Sequence, residues 1–135
     1  MKTVRPCFLV IDREHAGAIS TRKLVIETAK FNVLTSYSSD EAIATLKKYS
    51  AVDGIVLDAG MEDMACSDLI SELRKVRPDL PVIAICPPGS PACEGVTDQL
   101  ESFDPRRLLG ILQKLVPDQA DAIERHEEDL ARRAE

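Results

Sequence analysis

Two acids stand directly behind short apolar runs. Asp12 follows Phe8-Leu9-Val10-Ile11, and Asp58 follows Ile55-Val56-Leu57 and precedes Ala59-Gly60-Met61. A run of that length, rich in β-branched residues, reads as a fully buried strand. A carboxylate just beyond it lies where open α/β sheets receive their ligands, in the crevice at the carboxyl ends of the strands. Asp58 taken alone could equally be a turn residue, so the elements around it must decide. Other chemistry has little support. The four cysteines, Cys7, Cys66, Cys86 and Cys93, form no CxxC pair, and His15 and His126 lie far apart, so a zinc site is not expected. There is no glycine-rich phosphate loop and no Ser-His pairing, and a fold alone does not make an enzyme.

The chain has 135 residues, the size of one domain with one core. Hydrophobic residues at 44% and charged residues at 30% fit a globular chain rather than a disordered one. A net charge of −6 lacks the basic footprint of a nucleic-acid binder. No apolar run approaches the ~20 residues of a membrane span, and the opening segment lacks a signal-peptide pattern. The expectation is a cytoplasmic protein with reduced thiols.

Strand and helix signals alternate along the chain. Strands are expected at Phe8–Ile11, Asn32–Thr35, Asp53–Leu57 and Leu80–Cys86, with a weaker fifth within Gly95–Glu101. A helical period runs from His15 to about Lys30, with Ile19, Leu24 and Val25 inward and Arg22, Lys23 and Glu27 outward. Ser38-Ser39-Asp40-Glu41 fits a capping box for a second helix. A third begins near Ser67 and stops before Pro78. Residues 87–94 form a proline-rich loop, and Asp104-Pro105 opens the next helix. Such alternation implies a parallel sheet covered on both faces. The domain is placed at residues 4–117. A polar segment at 118–135 follows, with acid-before-base pairs such as Asp121/Arg125 and a thin apolar stripe of Ala120, Ile123 and Leu130. It reads as a partly frayed helix or as one that docks on a partner.

With these elements placed, Arg5 to Leu115 resembles the receiver domain of bacterial two-component response regulators. The resemblance rests on Phe8-Leu9-Val10-Ile11-Asp12, on Ile55-Val56-Leu57-Asp58 with Met61, on Leu80-Pro81-Val82-Ile83-Ala84-Ile85, and on Gly95 and Phe103-Asp104-Pro105. It implies an α/β fold with a flavodoxin-like five-stranded parallel sheet of order 2-1-3-4-5. It also implies phosphorelay signal transduction, in which Asp58 is the phosphoacceptor that attacks a phosphohistidine. Mg2+ would sit on Asp12, Asp58 and the Gly60 carbonyl, and a hydroxyl and a lysine would hold the phosphoryl group.

The chain departs from that pattern in four places. Arg13 stands where a second acid is expected, and Cys86 takes the hydroxyl position. Ser102 is the nearest match to the missing lysine. Only eight residues separate Cys86 from Gly95, which leaves the fourth helix short or missing. Arg13, Cys86 and Ser102 are therefore the candidates for phosphate contact. Arg13 either clamps phosphate oxygens, replaces the cation between the two carboxylates, which would otherwise repel each other, or simply faces solvent. The expectation is an atypical receiver, a phosphorylation-impaired interaction module with weak or absent Mg2+ binding, and the alternative is a conventional phosphoacceptor. The partners implied are a sensor histidine kinase or other signalling protein, with a second copy as a further candidate, and neither nucleic acid nor membrane.

Overall fold

A computed structural model describes residues 5–13, 20–86, 88 and 93–133. The strands are β1 (Cys7–Ile11), β2 (Asn32–Ser36), β3 (Val52–Asp58), β4 (Val82–Ile85) and β5 (Asp98–Leu100). The helices are α1 (Thr21–Thr28), α2 (Ser39–Lys48), α3 (Cys66–Val76), α4 (Pro105–Leu115) and α5 (Pro117–Arg133). The strands form one parallel sheet in the order β2-β1-β3-β4-β5, which is the expected flavodoxin-like order.

The side-chain period of two divides the core across this sheet. Leu9, Ile11, Ile55 and Leu57 face α2 and α3, packing with Ala42, Leu46, Leu69 and Leu73. Phe8, Val10, Val56 and Ile83 face the other way, onto Ile26 of α1 and Leu108 and Leu112 of α4. β1 and β3 are buried almost throughout, whereas edge strand β2 is only half covered.

Helix ends follow local chemistry. Ser38 Oγ accepts from the Glu41 amide at 3.2 Å, and the Glu41 carboxylate accepts from the Tyr37 amide at 3.4 Å. Asp104 caps α4 through the Arg106 and Arg107 amides, with Pro105 at the first position. α1 begins at Thr21 behind the cap residue Ser20. The start expected near His15 lies outside the described residues. α3 begins at Cys66, one residue before the expected Ser67.

No described residue between β4 and β5 is helical. Segment Cys93–Gly95 lies instead along α3. Arg74 Nη2 donates to the Gly95 carbonyl at 2.7 Å. Gly95 has φ +90°, a left-handed conformation suited to glycine, and a Cβ there would stand 3.2 Å from Ile70 Cγ2. The thiol expectation is corrected here. Cys66 and Cys93 form a disulfide with Cα atoms 5.7 Å apart, and only Cys7 and Cys86 are free. The short connection after β4 lays Cys93 on the first turn of α3, a proximity that a separation of 27 residues does not signal.

No helix among the described residues is long and apolar enough to cross a membrane. α5 is continuous, but only its first turns are anchored. Ala120 packs on the second cluster and Ile123 enters it at 7% exposure, whereas Leu130 is exposed. The packed unit thus extends past residue 117 into α5. Ile123→Ala should destabilise the fold by about 2 kcal/mol, read as a lowered urea midpoint. An unchanged midpoint would mean that α5 adds nothing to the core.

Candidate functional site

β1 and β3 are hydrogen-bonded neighbours with Ile11 opposite Leu57, so both strands deliver an acid to the same carboxyl end of the sheet. Asp12 and Asp58 are 3% and 2% exposed. Two carboxylates this close would repel, and one would take up a proton unless a cation intervened. The cation is Arg22. Its Nη1 lies 3.1 Å from Asp12 Oδ1 and 2.9 Å from Asp58 Oδ2, and its side chain is 16% exposed. Arg13 adds a second contact, with Nε 3.1 Å from Asp58 Oδ2, but is 52% exposed.

Local sequence explains how Arg22 arrives there. The Ser20 hydroxyl donates to Asp12 Oδ2 at 2.9 Å while its oxygen accepts from the Lys23 amide, starting α1 right beside β1. Arg22 is therefore on the first turn, where the helix dipole disfavours a cation and no acid is present. Its guanidinium carbon also lies 5.8 Å from the centroid of the Phe103 ring.

Asp58 is fully engaged. Its Oδ2 accepts from Arg13 and Arg22, and its Oδ1 accepts from the Gly60 amide at 2.7 Å. Burial alone would push the carboxyl up. The Gly60 amide, Arg22 and Arg13 together outweigh burial and hold it below the usual carboxylate value. Gly60 leaves little room for a side chain, because a Cβ would meet Arg13 Nη1 at 3.0 Å and Asp58 Oδ1 at 3.1 Å and both would have to give by a few tenths of an ångström.

The acids floor a polar groove of about 750 Å3 whose walls include Thr21, Tyr37, Met61, Glu62, Asp63 and Phe103. Asp63 fastens one wall. Its carboxylate accepts from the Ser39 amide and hydroxyl, both at 2.7 Å, which ties the segment after β3 to the start of α2. Those bonds hold the Asp63 carboxyl below its usual value.

Of the residues singled out from sequence, Asp12, Arg13 and Asp58 line this groove, and Gly60 contributes its amide. Cys86 is buried at the end of β4 and does not line it. Its thiol is pushed up by burial and by the Asp58 charge. Ser102 is exposed and outside the groove, while its neighbour Phe103 forms part of the wall. Arg22, expected to point outward, turns into the site. Arg22, Ser20 and Asp63 were not anticipated. Ser20 as a helix cap and a cation in a first turn without an acid were the available signals.

Magnesium asks for free carboxylate oxygens at about 2.1 Å and for space to retain water. As arranged, one guanidinium nitrogen bridges the two acids, and Asp58 accepts from three donors among the described residues. These residues do not fit the ion. A divalent cation 4 Å from a guanidinium would also be opposed by about 8 kcal/mol at an effective dielectric near 20.

Known proteins add the following. Residues 8–93 match the family model of the response regulator receiver domain. The transcriptional regulatory proteins GlrR of Escherichia coli K12 and QseF of Escherichia coli O157:H7 are each 28% identical over 86 residues, which is 64% of this chain and 19% of theirs. The chain thus spans less than a fifth of those relatives. Among solved structures, a CheY-like receiver domain protein from Methanospirillum hungatei superposes with a TM-score of 0.73 at 18% identity, covering 88% of this chain and 99% of that one. Chemotaxis protein CheY4 of Vibrio cholerae gives 0.69 at 24%, covering 83% and 99%. At these identities the structural likeness speaks for the fold alone. The family match runs through both strand-end acids and four of the five strands, β1 to β4: this chain belongs to the response regulator receiver domains.

Proposed function

We propose that this receiver serves two-component signalling as a protein-interaction module, not as an enzyme, and that its acidic pocket is closed to phosphoryl transfer. The observation that carries the reading is the Arg22 guanidinium bridging Asp12 and Asp58. A carboxylate that attacks phosphorus must present a free oxygen, and a cation must neutralise the incoming phosphoryl charge. In this chain the internal cation takes both roles' places. It neutralises the acid pair and occupies the attacking oxygen. The lowered basicity of Asp58 makes it a weaker nucleophile besides. The pocket then resembles a receiver locked in one electrostatic state, and signalling passes through protein contacts. The partner is a sensor histidine kinase, another signalling protein or a second copy of the chain.

Incubation with acetyl phosphate and Mg2+, followed by intact mass, should leave the protein unmodified. Stoichiometric, magnesium-dependent addition of a phosphoryl group at Asp58 would sink the proposal and make Arg13 a candidate phosphate clamp. Magnesium titration of the parent should leave the Asp12, Asp58 and Gly60 amide resonances in place at millimolar ion. Arg22→Ala removes the bridging cation from the two acids, so those resonances should then shift saturably. Loss of the bridge should also cost about 1–3 kcal/mol of stability.

Acid dependence follows from Asp58. Its folded carboxyl titrates below 3.8, its ordinary value. The folded state therefore binds this proton less tightly than the unfolded chain. The resulting stability is complete above that ordinary value and is lost as pH falls through the lower folded value. Asp63 contributes in the same direction, so the difference from a variant isolates Asp58. Asp58→Asn should be less stable than the parent by about 1–3 kcal/mol at pH 7, and urea midpoints should converge as pH falls below the ordinary carboxylate value. A gap that stays constant with pH would contradict the assignment.

A further inference from the structure

We propose that the Cys66–Cys93 disulfide is a reversible thiol switch that latches segment Cys93–Val96 onto α3, cleaved by a dithiol reductant and re-formed by a disulfide oxidant. The inference stands independently of whether Asp58 accepts a phosphoryl group.

Cys66, Ile70 and Arg74 recur every four residues and share one face of α3. Each touches the same short segment. Cys66 is bonded to Cys93, Ile70 approaches Gly95, and Arg74 Nη2 holds the Gly95 carbonyl. The next residue along is fixed separately. The Thr97 amide donates to the Val82 carbonyl and the Val82 amide donates to Thr97 Oγ1, which anchors the entry to β5. Cleavage of the disulfide therefore removes the covalent tie of Cys93–Val96 to α3 while leaving the sheet intact, and only the apolar packing of Cys93 and Val96 then holds the segment beside the Arg74 bond. The exposed Arg74 contact is then the main remaining polar tie.

The pair is chemically suited to exchange. Cys66 is half-buried on the surface and Cys93 is buried, so an external thiolate meets the bond from the Cys66 side. Cys66 is the first residue of α3, and its cap position, Ala65, offers no side-chain acceptor to the free helix amides. A thiolate released there is favoured by those amides and the dipole. The other two cysteines are poor competitors. Burial and Asp53 push the Cys7 thiol up, and burial and Asp58 push Cys86 up.

In the exchange, one thiolate of the dithiol attacks Cys66 Sγ. The Cys66–Cys93 bond breaks, and Cys93 leaves as a thiolate and takes a proton. The second thiolate of the reductant attacks its own sulfur in the mixed disulfide and releases Cys66. The dithiol has lost two electrons and two protons, and the chain holds two thiols. Oxidised glutathione, itself reduced to two thiols, reverses the sequence.

The test uses the full chain equilibrated across ratios of reduced to oxidised glutathione, with alkylation and mass spectrometry counting free thiols. The expected result is a reversible two-thiol transition confined to Cys66 and Cys93. Amide resonances of Cys93–Val96 should move between the end states, while those of Thr97 and of β1–β4 hold. Closure of a 27-residue separation further predicts a melting temperature about 10 °C lower when reduced. Cys66→Ser should reproduce the reduced spectrum, and reduction of the parent with dithiothreitol gives the same reading should that variant fold poorly. A pair that stays oxidised at every ratio, a pair that never oxidises, or end states with identical spectra beyond the two cysteines would each overturn the switch.

Discussion

Two carboxylates, each under a twentieth exposed, share one guanidinium nitrogen at the end of the sheet. Parallel pairing of β1 with β3 forces Asp12 and Asp58 together, and the apolar strands that bring them there also strip away water. The resulting repulsion has to be answered by a cation, a proton or separation of the strands. Arg22 answers it from within the chain. A buried ion network is costly to desolvate and is repaid only when its members are satisfied. Here Asp12 also accepts from Ser20, and Asp58 from Gly60 and Arg13.

Much of the surrounding architecture serves that bridge. Ser20 caps α1 and fixes Asp12 with one side chain, so the start of the helix and the position of Arg22 are set together. Phe103 lies beside the same guanidinium from the segment before α4. Gly60 is small enough for Arg13 to close over Asp58. Asp63 clasps Ser39 and holds the far wall. The pocket is thus held by charge pairs and hydrogen bonds contributed by several elements.

The opposite flank of the sheet is organised differently. Without a described helix between β4 and β5, the connection needs another means of covering α3, and it uses a covalent bond, a glycine and an arginine hydrogen bond. Electrostatics govern the strand-end pocket, and sulfur chemistry governs the loop. The two lie on different elements, so a change at one need not pass through the other.

Sequence alone determined the order of elements, the parallel sheet and the two acids at its edge. Those features follow from local periodicity, from caps such as Ser38 and Asp104-Pro105, and from apolar runs that stop at a charge. Arg13 was legible as a displaced cation because it adjoins Asp12. Arg22 was not, because its direction depends on where α1 begins, and a helical period displaced by a few residues turns the inward face outward. The Cys66–Cys93 pairing was likewise hidden, since contact between residues 27 apart is a property of the packed loop. Ser102 and Cys86 show the same limit at short range. Their strand-end positions follow from sequence, but whether a side chain enters the groove depends on register and on the neighbour, Phe103, that fills the space. Tertiary structure decided which charges meet and which sulfurs bond, because both depend on distances that local pattern does not encode.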